Sequence, residues 1–201
     1  MRIKLVAALC LLSCLALTVP SGATSAQGDK KGSNRETFSA LANILPAGAT
    51  RNVTIYIDSY STEQEAQQLE AISRSGGQDA LLNALEKMKP IGRIESVGTV
   101  SFYDFKLIIS KPTPTGRHII AITDRPMGFR EEARDARSTE YPFGILQLDL
   151  KDDKKGKDKK GKEEGEGTLI YAAQIKDLNL DELNVENYGA DPVKLLGVRQ
   201  L

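Results

Sequence analysis

The sequence predicts an α+β domain: a curved antiparallel β-sheet of about six to eight strands with a helix pair packed on one face. Three observations lead there. Val53, Ile55 and Ile57 alternate with Thr54, Tyr56 and Asp58, the period of two that marks a half-buried strand. Between 62 and 88 the apolar residues recur at helical spacing instead, with Ala66, Leu69 and Ile72 before Gly76-Gly77 and Leu81, Leu82, Leu85 and Met88 after it. From Ile91 onward, short runs rich in β-branched residues are separated by turn-forming glycines and prolines.

Taken in order, residues 36–45 admit two readings. Ser33-Asn34-Arg35-Glu36 resembles a capping box opening a short helix, whereas 38–44 also reads as a strand turning at Pro46-Ala47-Gly48 into the Val53 strand. The hairpin is favoured. Ser61 or Thr62 caps the first helix, with Gln64 or Glu65 at the reciprocal position, and Pro90 follows the end of the second. Strands are expected at 93–98 and 99–110, then a turn at 111–116 and a returning strand at 118–123. The charged stretch 130–137 reads as a short helix or an ordered loop. A further strand pair is expected at 143–151 and 168–175, and a last strand at 193–198. Between that pair, 152–167 consists almost wholly of Lys, Asp, Glu and Gly. It offers nothing to bury, so a disordered insertion is expected.

The chain opens as an exported protein does. Arg2 and Lys4 precede an apolar run from Leu5 to Val19, then Pro20, Ser21 and Gly22, then small residues to Ala26. This is the order of a cleavable signal peptide over 1–26, followed by a flexible lead-in over 27–35 and one domain over 36–201. A periplasmic or extracellular location follows. Cys10 and Cys14 both fall inside the leader, so the mature chain has neither disulfides nor thiol chemistry. Leu11-Leu12-Ser13-Cys14 faintly resembles a lipobox, but the apolar run continues past Cys14, and a lipid anchor there is not expected.

Lysines and arginines number 27, as do the acids, so net charge gives no case for nucleic acid or an anionic membrane surface. No apolar run after Val19 is long enough for a transmembrane helix. Tryptophan is absent, which weakens a sugar- or base-stacking platform.

Thr123-Asp124-Arg125-Pro126, Tyr141-Pro142-Phe143, Gly77-Gln78-Asp79-Ala80-Leu81-Leu82 and Glu186-Asn187-Tyr188-Gly189 carry a resemblance. Together they are similar to segments of a group of uncharacterised exported bacterial proteins, over most of the chain from Phe38 onward. The resemblance implies a single domain beginning with a strand hairpin. It implies no activity, cofactor or partner.

The familiar catalytic sets are missing. His118 is the one histidine, which excludes paired-histidine zinc motifs, and no Gly-x-Ser-x-Gly elbow, Walker loop or dinucleotide fingerprint occurs. No cofactor or metal is expected. Glu131, Glu132, Asp135, Asp124 and Glu140 include enough carboxylates for hydrolase-type acid/base work, but alternation with Arg130, Arg134 and Arg137 is the pattern of a salt-bridged surface. The candidate binding residues are Arg125, Met127 and Phe129, joined by Tyr141 and Phe143. There a fixed proline and a permissive glycine set apolar side chains beside a cation. The expected function is a non-enzymatic binding or envelope-interaction module whose partner is an envelope protein or small ligand. The rival readings are a carboxylate-dependent hydrolase using acids near 124–140 and a purely structural accessory protein.

Overall fold

A computed structural model describes residues 35–44, 49–98, 100, 102–128, 140–151, 163–179, 183–188 and 191–201. The expected leader, lead-in and 130–137 segment lie outside these residues, apart from Arg35. So do 152–162 of the charged tract.

The α+β expectation is overturned. The chain forms a closed eight-stranded antiparallel β-barrel with one helix, and about 60% of the described part is strand. The strands are β1 (Glu36–Ile44), β2 (Ala49–Ile57), β3 (Gly92–Ser96), β4 (Phe102–Thr113), β5 (Gly116–Thr123), β6 (Phe143–Lys151), β7 (Glu164–Leu178), β8 (Leu183–Asn187) and β9 (Val193–Gln200). Strands β1 to β7 pair in sequence order except that α1 (Glu63–Glu86) separates β2 from β3. The barrel closes because β9 inserts between β7 and β1. β8 lies outside the closure, on the second half of β7 beyond β9.

Closure was invisible locally because a period of two reports which face is buried, not whether the outer strands of a sheet meet. Boundaries moved as well. β4 continues through Pro112, and β5 starts at Gly116, which leaves a two-residue connection where a longer turn was expected. β7 begins at Glu164, so the last residues of the charged tract are strand paired with β6 and β9.

The helix pair is also corrected, to one helix. Thr62 caps it with a reciprocal capping box: the Glu65 N–H donates to Thr62 Oγ1 at 3.2 Å and the Thr62 N–H to Glu65 Oε2 at 2.8 Å. Gly77 kinks it, with φ 69° and ψ −164°, a conformation open essentially to glycine. Gly77→Ala is therefore expected to cost about 1–3 kcal/mol. A thermal melt checks this, and a midpoint at or above wild type would mean the helix simply straightens. The final turn of α1 has no basic residue. The barrel supplies one: Lys106 donates from Nζ to the Met88 carbonyl at 2.9 Å and pairs with Asp124 at 3.3 Å.

Two cores result. Inside the barrel, alternate residues of each wall strand converge, among them Phe38, Val53, Ile55, Ile94, Phe105, Ile119, Leu146 and Leu195. Outside it, Leu69, Leu81 and Leu85 of α1 cover Leu107, Ile122, Phe143, Ile145 and Ile175 on β4 to β7. Burial of each such side chain stabilises by about 1.5–3 kcal/mol. Strands under the helix are buried on both faces, whereas β1 alternates buried and open positions.

Candidate interaction surface

The barrel interior is closed at both ends by the chain itself. At the end where β1 begins, Arg117 of β5 reaches three partners. It donates from Nε to Glu163 at 2.8 Å, from Nη2 to Glu36 at 2.7 Å and from Nη1 to the Tyr60 hydroxyl at 2.9 Å. Tyr60 in turn donates to Glu36 at 2.7 Å. The guanidinium lies 5.9 Å from the centre of the Phe38 ring, so this polar cluster sits directly on the apolar interior. Burial works against the Arg117 charge, but hydrogen bonds to Glu163 and Glu36 outweigh it and hold its pKa above the usual value. Burial first, then the Glu36 hydrogen bond, raises the Tyr60 phenol well above its ordinary range.

At the opposite end, the chain leaving β5 turns across the opening. Met127 is fully buried in the interior core, over Gly144. Its N–H donates to the Tyr171 carbonyl at 2.7 Å, and the Tyr103 hydroxyl donates to the Gly128 carbonyl at 2.8 Å. Thr123 fixes the turn by donating to the Arg125 carbonyl and accepting from the Gly144 N–H.

The sequence-predicted binding residues therefore do not share one surface. Met127 belongs to the interior core and Phe143 to the core under the helix. Phe129 lies outside the described residues. Arg125 stacks over Tyr103 at 5.5 Å and donates to the Phe102 carbonyl at 3.3 Å. Tyr141 donates to Glu186 at 3.1 Å beside Tyr188, whose ring centre is 5.0 Å away. That bond raises the Tyr141 pKa, while Lys176 and then Tyr141 lower that of Glu186.

Of the carboxylates considered for hydrolysis, Asp124 is taken by Lys106, and Glu131, Glu132 and Asp135 lie outside the described residues. His118 pairs with Asp149 at 2.6 Å on the barrel's outer face. A mixed-charge groove of about 550 Å³ runs nearby between Asp149, Lys151, Glu164, Glu166 and Arg199. Arg199 and Glu164 neutralise one another there at 3.2 Å. Among the described residues, no three His, Cys, Asp or Glu side chains are gathered as metal ligands would be.

What sequence reasoning missed lies on the barrel wall that α1 leaves bare. A groove of about 410 Å³ follows β1, β2 and β9. Leu41 and Leu196, which face each other across the β1–β9 ladder, line it with Val97, and Ser39, Asn52, Thr54 and Arg199 form its polar margins. Leu41 and Leu196 are 37% and 40% exposed, on strands whose other outward residues are mostly polar. The β3–β4 hairpin at its end exposes Val97, Val100 and Phe102. A signal existed: Leu41 and Leu196 are apolar at positions where the alternation of their strands demands a polar residue. No protein-family model matches the chain, and neither a curated protein nor a solved structure matches it.

Proposed function

We propose that this chain is an exported, non-enzymatic binding module, acting in the periplasm or outside the cell, that holds an extended segment of an envelope protein in the groove on its helix-free wall. The carrying observation is the Leu41–Leu196–Val97 strip, an apolar floor with hydroxyl and amide margins on an otherwise polar wall. Such a strip suits alternate side chains of a partner segment, while Asn52, Thr54 and Arg199 offer hydrogen bonds at its margins. Among the described residues, core side chains occupy the interior, with Arg117 at one end and Met127 at the other. The hydrolase reading draws no support from Asp124, which Lys106 occupies.

The test is capture from envelope extract by wild type and by the double variant Leu41→Glu, Leu196→Glu. Both positions are partly open, so the variant should keep the wild-type far-ultraviolet spectrum. Loss of a specifically captured protein, at least tenfold, is expected. Equal capture by the folded variant would remove the groove from the function.

A further inference from the structure

We infer that the tip of the β3–β4 hairpin is a docking site for an anionic phospholipid surface. This goes beyond the groove and rests on different residues, Val97 alone being shared. At the tip Val97 is 61%, Val100 98% and Phe102 45% exposed, all within six residues. Gly98, at φ 86°, makes the turn that presents them. Three side chains fall well short of the roughly 800 Å² per partner that a stable protein interface buries. So few exposed apolar side chains instead suit insertion among headgroups, where each gains an apolar environment without a shaped partner.

The charges fit the same surface. In the sheet the hairpin is flanked by β2 on one side and β5 on the other. β2 carries Arg51, and the chain leaving β5 carries Arg125, held at the hairpin by its stacking on Tyr103 and its bond to the Phe102 carbonyl. Among the described residues neither arginine has a carboxylate partner. Arg93, farther down, is 5.1 Å from the Tyr56 ring and 6.0 Å from Phe102, and its charge is met by Glu95 at 2.9 Å. Glu95 lies opposite Phe102 and Asp104 opposite Arg93 across the ladder, so Arg93 sits between the hairpin's two acids and its ion pair answers the one nearer the tip. The chain's zero net charge thus conceals an apolar hairpin flanked by strands or loops bearing two cations that, among the described residues, have no carboxylate partner. Each such cation strengthens binding to an anionic leaflet by about fivefold, and salt weakens the attraction.

The domain from Ser33 to Leu201, a compact unit without the apolar leader, is the material for the test. It is mixed with vesicles of phosphatidylcholine alone or with phosphatidylglycerol in equal parts. Since the chain has no tryptophan, Val100→Trp places a single reporter at the tip. Expected results are sedimentation with the anionic vesicles only, reversed by salt, and a blue shift of the Val100→Trp emission. Val100→Asp should lower binding at least tenfold, and Arg51→Glu with Arg125→Glu at least twenty-five-fold. The Leu41→Glu, Leu196→Glu variant should bind like wild type. Absence of wild-type binding, equal binding to uncharged vesicles, or unchanged binding by Val100→Asp would each overturn the inference. Vesicle binding lost only in the groove variant would overturn it too, and would place lipid in the groove instead of a protein segment.

Discussion

Replacing Gly165 by alanine is expected to destabilise the barrel by about 3 kcal/mol, lowering the melting midpoint by roughly 6–12 °C. Gly165 faces Leu150 across the β6–β7 ladder and Val198 across the β7–β9 ladder. A Cβ there would overlap the Asp149 carbonyl oxygen and press on the Leu150 backbone. On the other side of β6, a Cβ on Gly116 would meet the Leu150 carbonyl in the same way. Two glycines thus let β5 and β7 approach the β6 backbone closely from either side. The obstacle is backbone, which can yield only by shifting the ladder. Gly144 makes the useful control, because the atoms a Cβ there would meet first are side-chain atoms of Met127 and Thr123, and side chains can shift without moving the ladder. Gly144→Ala should cost only about 1 kcal/mol. Equal denaturation midpoints for the two variants would show that the close approach at Gly165 is not what limits substitution.

Arg117→Met should cost about 3 kcal/mol, for a different reason. The methionine keeps most of the volume but leaves Glu36 and Glu163 facing the space the guanidinium filled. Their side chains are only 18% and 14% exposed, so water compensates poorly. Adding Glu36→Gln to Arg117→Met should restore at least about 1 kcal/mol, by removing one uncompensated charge. A double variant no more stable than Arg117→Met alone would mean that lost packing against Phe38, not charge, explains the deficit. Tyr60 gives the same cluster an alkaline signature. Its folded pKa lies above the unfolded value near 10, so its contribution is complete below about pH 10 and is lost as pH rises through the folded value. Wild type should lose stability in that alkaline range more steeply than Tyr60→Phe, as denaturation at stepped pH would record.

Much of the secondary structure could be read from local pattern. The Thr62–Glu65 capping box, the Val53–Ile57 alternation and the β6 run over 143–151 each depend on residues close in sequence. Closure depends on long-range partners that no window contains: β9 against β1, and β7 against both β6 and β9. One contrast did hold the missing information. Ile119-Ile120-Ala121-Ile122 is apolar throughout, whereas Thr37, Ser39 and Asn43 alternate with Phe38, Ala40 and Ala42. A strand apolar on both faces is covered twice, so this difference tells which wall lies under the helix. β8 escaped notice because its five residues alternate weakly and directly follow two acids, Asp181 and Glu182, in the sequence. The candidate site failed for a related reason. Met127 and Phe143 carry side chains equally suited to a core or a contact, and only the path of the chain after β5 decides which. Leu41 and Leu196 stand out only once their strands' outer face is known.

The position of β9 also governs when the barrel can exist at all. Its residues pair with β1, some 155 positions earlier in the chain, and the Leu201 N–H donates to the Thr37 carbonyl at 2.8 Å. During synthesis, β1 to β7 can form only an open sheet with two unsatisfied edges until the final strand emerges. A sheet that β9 alone closes keeps both edges open while the rest of the domain is being made. Those edges are also the period of greatest exposure to misassociation, which ends when the two termini of the domain meet.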